Sequence, residues 1–469
     1  MKEARAGHPV ATNAALLLFG VLLVMLARAG VVEYHHYVHG IGEDIFGQII
    51  LYLGGIALIE RSSTNRWTLG IIFGVALAVR MVCVFAPAFL SSDVYRYVWD
   101  GEVQAAGINP YRYIPAAPEL TFLRDQEIYP NINRKEYAHT IYPPVAQMIF
   151  LAVTRISATE TFMKLSMVGF EAVMCVFLLR LLAMLGLPRE RILLYAWHPI
   201  GFWEVASSGH LDAVAMCFIT LALYARLRQK TGATAGWLAA AVLTKLYPLA
   251  LLPALAEHSR RQILKTIGIM VGIAAFAYLP YLGVGKGVLG FLPSYAQEEG
   301  INTGTRFFLL AFINRVLHLS LAPAVYLGCC ALALAGLSWW AWRGESAMPA
   351  SSPAGARRLI FSALVLATGL TLCFSPHYPW YFLWLLPMLT LVPWRPAFYL
   401  VMAPTFMLAT PLGAPGEPIY RMNVLLYGGF AALLLYGWME AWLRHRPRTL
   451  KARSRVKGGK GAAEQLART

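Results

Sequence analysis

Charge is what this chain has least of. Only 14% of its 469 residues are Asp, Glu, Lys or Arg, against 58% hydrophobic residues. So little charge cannot cover the water-facing surface of a globular domain of this size. Acidic residues are the scarcer kind, 24 against 40 Lys and Arg, which leaves a formal net charge of +16. Cysteine is sparse as well. The six, at positions 83, 175, 217, 329, 330 and 373, lie within or at the ends of apolar runs and form no CxxC pair. Neither a disulfide framework nor a zinc site is indicated. No repeat relates the two halves of the chain, which counts against a transporter built from paired halves.

What the chain has is apolar length. Runs long enough to cross a hydrocarbon core of roughly 30 Å recur from residue 14 to residue 443, and they must be helices, because an open sheet would leave backbone groups unsatisfied in lipid. The reading is an all-α integral membrane protein with about 12 crossings, expected near 14–30, 45–60, 68–90, 162–186, 191–206, 211–226, 265–282, 322–342, 358–374, 381–395, 397–411 and 423–443. The first run follows Lys2 and Arg5 but shows no clear cleavage pattern of small residues, so it reads as an anchor rather than a signal peptide. Residues 1–443 form one membrane domain.

The positive charge is unevenly placed. From Arg444 to Thr469 there are nine Lys or Arg and one Glu, a basic cytoplasmic tail of the sort that faces anionic lipid rather than nucleic acid. The Lys2/Arg5 terminus, RSSTNR at 61–66, PRER at 188–191, RLRQK at 226–230, HSRRQILK at 258–265 and GARR at 355–358 join the tail on the inner side. Residues 235–256 fall between two such loops. A re-entrant pair of half-helices broken near Lys245 and Pro248 keeps the parity, and 141–156 is expected as a short helix on the outer face.

On that topology five polar segments share the outer side. They are SSDVYRYVWDGEVQAAGINPYRY at 91–113, which opens a large loop spanning 91–160, SSGHLD at 207–212, the break at Lys245, SYAQEEGINTGTR at 294–306, and SPHYPWYF at 375–382. Their gathering on one face suggests a single site between helices.

The segments SDVYRYVWDG…GINPYRY, YPPVAQ, WHP…SSGHLDA, LTKLYP and SPHYPWY, in that order from Ser92 to Tyr381, resemble the GT-C glycosyltransferases that use polyprenyl-phosphate sugars, especially bacterial mannosyltransferases of the family-87 or DUF2029 type. The chain departs from many of them in having two helices before the one that leads to the acidic loop, and in a turn that reads Gly209-His210-Leu211-Asp212. The resemblance implies an inverting transfer of a hexose, mannose foremost in that family, from a polyprenyl-phosphate donor to a lipid or glycan acceptor. It implies a site on the extracytoplasmic side of a bacterial inner membrane, with no cofactor, no metal demanded and no nucleic-acid partner.

That chemistry needs a carboxylate to take the acceptor's proton and cationic groups to meet the leaving phosphate. Asp93, just beyond a membrane helix, is the candidate base; the other reading is a helix cap or a pair with Arg96. Lys245 interrupts an apolar run and is the candidate phosphate partner, with snorkelling as the alternative. His377, in a proline-rich loop, joins it as a phosphate or sugar contact. Arg96, Trp99, Asp100, His210, Asp212, Tyr247 and Tyr378 are candidate substrate contacts. The competing readings place Trp99 in an interfacial belt with Tyr95 and Tyr97, Asp100 at a helix end, Glu102 in water, and His210 and Asp212 at a helix start. Glu171 and Glu204 read equally well as hydrogen-bonded groups inside the bundle, and Glu298 and Glu299 as solvated acids. The rival class is a transporter or lipid flippase.

Overall fold

A computed structural model of the protein describes residues 8–34, 41–345, 352–409 and 417–445. The basic tail and the Lys2/Arg5 terminus lie outside the described residues. The described architecture is all-helical, with no β-sheet among those residues.

Among the described residues the α-helices of ten residues or more are α1 (Pro9–Tyr34), α2 (Ile41–Arg61), α3 (Arg66–Val84), α4 (Asp93–Ala105), α5 (Pro144–Thr154), α6 (Glu160–Met184), α7 (Asp212–Leu227), α8 (Thr231–Val242), α9 (Arg260–Tyr278), α10 (Phe308–Leu317), α11 (Pro323–Glu345), α12 (Pro353–Phe374) and α13 (Glu417–His445). Seven spans in this set are long and apolar enough to cross a membrane, and up to eight if the bent pair Pro199–Ser207 and Asp212–Leu227 counts as one. The protein is thus an integral membrane protein. About 12 crossings were expected, and the difference has a visible cause. Apolar composition continues through segments that fold as short pieces, such as Pro379–Leu385, Leu386–Leu391, Arg395–Met402 and Ala403–Ala409. Prolines at 379, 387 and 396 each start such a piece, where the missing N–H costs nothing.

Local signals explain several boundaries. Asn65 caps α3 in a capping box with Thr68, and Thr159 caps α6 by accepting from Phe162 N. The segment 235–256 is broken: α8 stops at Val242, and a 3₁₀ turn (Tyr247–Leu251) and a short helix (Leu252–Leu255) follow. Twelve residues of α8 reach only about 18 Å, short of a crossing. The expected helix at 141–156 is α5, eleven residues long.

One core runs through the bundle, and it takes in the aromatic residues expected at an interface. Tyr97 is completely buried, stacked on Phe150 at 4.7 Å, and Trp99 is buried against Tyr129. Residues at i and i+2 do not share a helix face, so α4 buries its aromatics by being enclosed on several sides, by α5, α6 and the 118–131 loop segments.

Candidate active site

The turn that bends the chain between Pro199–Ser207 and α7 by 118° is the anchor of the site. It follows a π-helical stretch, Phe202–Ser207, an irregularity frequent at functional sites. Gly209 lies in the left-handed region at φ +71°, and a Cβ there would come within 2.9 Å of Val94 and 3.0 Å of Lys164. Only glycine lets the turn close onto the start of α4 and the side of α6. The same contact brings Asp93, first residue of α4, and Asp212, first residue of α7, into one region, where the charges of both act on Lys245. Both carboxylates therefore sit at the positive ends of helices.

Asp212 is fully engaged. Its Oδ2 accepts from Lys245 Nζ at 2.6 Å and its Oδ1 from Tyr247 OH at 3.0 Å. Lys245 does not snorkel; its side chain is 15% exposed and turned onto this acid. Burial pulls the pKa of its ammonium down, but Asp212, with Tyr381 and Asp93, more than offsets that and the net shift is upward. The charge stays on. Lys245 also lies over the Tyr381 ring, 5.5 Å from its centroid.

Asp93 accepts from Asn133 Nδ2 at 2.9 Å through Oδ1. It makes no pair with Arg96, and the N-cap of α4 is Ser92, without a side-chain cap bond. Arg96 is instead spent on Asp100, Nε to Oδ1 at 2.8 Å, and on Ala138 O at 3.1 Å. Asp100 Oδ2 accepts from Gln147 Nε2 at 3.0 Å and from the Thr140 hydroxyl. Arg96 and Asp100 thus belong to a closed network with Ala138, Thr140 and Gln147, while Trp99 is buried against Tyr129. Asp100 lies mid-helix, since α4 continues to Ala105. Glu102 is not a plain surface acid, because burial, with Asp125 nearby, lifts its pKa to about 7.

The outer rim is aromatic. His210, entirely buried, stacks on Trp380 at 4.2 Å, and Trp380 stacks on Tyr378 at 4.5 Å. The His210 Nε2 lies 3.2 Å from Glu204 Oε2 without hydrogen-bond geometry. His377 Nε2 lies 3.7 Å from Glu299 Oε2. Burial and then the Arg306 charge push the His377 pKa down, so the imidazole is neutral at neutral pH and can still donate one N–H. Among the described residues no group of three or more His, Cys, Asp or Glu is gathered for a metal ion.

Of the residues singled out from the sequence, Asp93, Lys245, His210, Asp212, Tyr247, His377 and Tyr378 fall in this region, while Arg96 and Asp100 are spent on each other in the closed network and Trp99 packs on Tyr129. Five further groups belong here and were not singled out as contacts: Tyr381, Trp380, Arg306, Glu299 and Asn133. Glu299 was expected in water; its side chain is 5% exposed and paired with Arg306. The signal was present, since both lie in the charged outer segment 294–306, but their pairing across seven residues is a matter of loop shape. Glu298 does lie near the surface, 33% exposed and bonded to Arg134 at 2.6 Å.

A family model for the N-terminal domain of alpha-(1->6)-mannopyranosyltransferases matches residues 5–259, more than half of the chain. The chain belongs to that family. No curated protein and no solved structure matches it. Membership in the mannopyranosyltransferase family bears out the resemblance drawn from the five motifs, and makes glycosyl transfer at a membrane the general activity. The matched segment includes Asp93, His210, Asp212 and Lys245 and ends before Glu299, Arg306, His377 and Tyr381. The N-terminal part thus brings the acid–lysine centre, and the later part of the chain adds the aromatic and arginine rim.

Proposed function

We propose that the protein is an inverting mannosyltransferase that moves mannose from a polyprenyl-phosphate donor to a lipid or glycan acceptor, at the extracytoplasmic face of a bacterial inner membrane. The observation that carries this reading is the juxtaposition of Asp93 with the Asp212–Lys245 pair at the ends of apolar helices. Asp93 would take the proton of the acceptor hydroxyl as its oxygen attacks the anomeric carbon. The bond from that carbon to the phosphate oxygen breaks, and the phosphate leaves on the prenyl chain with the electron pair. Lys245 would meet the charge gathering on that phosphate, and the neutral His377 would donate to it or to the sugar.

Asn133 supports the base role. By donating to Oδ1 of Asp93 it fixes the carboxylate's orientation and leaves Oδ2 for the incoming proton. The stacked Trp380–Tyr378 rim supplies faces for a sugar ring, and Asp212 keeps the lysine charged and aimed. Attack from the face opposite the phosphate turns a β-linked donor into an α-linked product.

The test is incubation of purified protein in lipid nanodiscs with radiolabelled polyprenyl-phosphate mannose and a membrane extract. Label should pass to an extractable acceptor. Donor that is bound and moved between leaflets without any transfer would favour the flippase reading.

A further inference from the structure

The cation most deeply built into this region, apart from Lys245, is Arg306. It follows a tight turn in which Gly300, at φ +70°, leaves no room for a Cβ against the Thr305 hydroxyl, and the backbone N–H of Arg306 points back to Gly300 O at 3.4 Å. Next to it, Phe307 is wholly buried with Tyr326 and Leu310. The arginine therefore stands on a fixed mount. Its side chain is only 6% exposed. One terminal nitrogen is paired with Glu299, but Nε is buried without a hydrogen-bond partner among the described residues. An unmade bond from a buried charged donor forfeits the full desolvation cost of that group.

The guanidinium of Arg306 meets the same ring as Lys245. Arg306 lies 5.8 Å from the centroid of Tyr381 and Lys245 5.5 Å from it. Tyr381 is in turn held by the hydroxyl of Tyr295 at 3.0 Å. Two cations thus meet at one aromatic ring, each tied to its own acid, Glu299 and Asp212, and one guanidinium N–H there is left unmade. A guanidinium N–H suits a phosphate oxygen better than a sugar hydroxyl, because both partners are then charged.

We propose that Arg306 is a second phosphate-binding residue, its Nε–H donating to the phosphate monoester of the lipid donor, so that Lys245 and Arg306 hold the phosphate together. The inference rests on the donor reading given above and adds a specific residue to it, from the part of the chain beyond the family match.

The experiment measures binding of unglycosylated polyprenyl phosphate to the full-length protein in nanodiscs, with polyprenol and inorganic phosphate as comparison ligands. Wild-type protein should bind polyprenyl phosphate at least tenfold tighter than polyprenol, and inorganic phosphate should compete only weakly. Arg306→Met should lose tenfold or more in affinity for polyprenyl phosphate while binding polyprenol unchanged. Because that variant also frees Glu299, the double variant Arg306→Met/Glu299→Gln removes the stray acid, and it should remain weak. Recovery of wild-type affinity in the double variant, or an unaltered Arg306→Met, overturns the role of Arg306 alone. Wild-type protein that does not distinguish phosphate from alcohol overturns the donor reading itself, and strong competition by inorganic phosphate would make the ligand a free anion rather than a lipid.

Discussion

Two of the acid–base pairs buried in the bundle are built for opposite ends. Arg80 on α3 meets Glu171 on α6 with two parallel contacts, Nε to Oε2 at 2.8 Å and Nη2 to Oε1 at 3.0 Å. Two further donors go to Ala196 O at 2.8 Å and Ala76 O at 3.2 Å, and Tyr195 donates to the same carboxylate. Four of its five N–H groups are thereby engaged. Lys245, by contrast, gives one of its three donors to Asp212 and, among the described residues, makes no other side-chain hydrogen bond. It lies at a break between helices beside an aromatic rim, whereas Arg80 lies inside two long ones. Burial of a charge is therefore not itself the mark of function. Unused hydrogen-bonding capacity, next to a place a ligand could reach, is the better sign.

The largest effect that would sharpen this contrast is on turnover. Asp93→Asn keeps the shape and the contact with Asn133 but cannot accept a proton, so transfer of label should fall by about 10²- to 10⁴-fold with folding and donor binding intact. Near-normal turnover in that variant would remove Asp93 from the reaction.

Next comes stability at the closed pair. Arg80→Met strands Glu171 in the bundle and should cost about 3–5 kcal/mol, seen as a lower midpoint in detergent melts, while the double change with Glu171→Gln should recover much of it. A single variant as stable as the wild type would break the comparison, since Arg80–Glu171 would then carry no structural weight.

Lys245→Met should do the reverse. It retains the stem's bulk, and combined with Asp212→Asn, so that no buried acid is stranded, it should keep the fold while weakening donor binding by tenfold or more in the assay used for Arg306. Lys245→Arg should restore part of the loss, because a guanidinium keeps the charge but alters the geometry.

The smallest effect concerns Glu102. With its folded pKa raised to about 7, its stabilising contribution is present below the ordinary carboxylate range and is lost as pH rises through 7. Melting midpoints should decline modestly from pH 5 to pH 8 in the wild type, and that decline should flatten in Glu102→Gln.

A good part of the fold and of the site could be read without coordinates. Long apolar runs and the interruption of 235–256, expected near Lys245 and Pro248, are local matters of composition. So is the placing of Asp93 and Asp212 at helix starts. The count of crossings was not legible, because apolar composition does not separate a span from a proline-started short helix buried in protein, as at Pro379–Leu391. The exposure of Glu299 was not legible either, since a charged loop reads as solvated until a partner such as Arg306 closes on it.

The sequence by itself determined that this is a helical membrane protein, that its 235–256 segment is interrupted, and which residue types could carry glycosyl transfer. Only the tertiary structure decided how the charges were shared out: Arg96 to Asp100 rather than Asp93, Lys245 to Asp212, and Arg306 to Glu299 with one donor left unmet. The reason is physical. Secondary structure answers to neighbours three or four residues away and to the solvent, whereas a buried charge answers to whichever partner the packing brings within about 3 Å, and for Lys245 and Asp212 that partner is 33 residues distant.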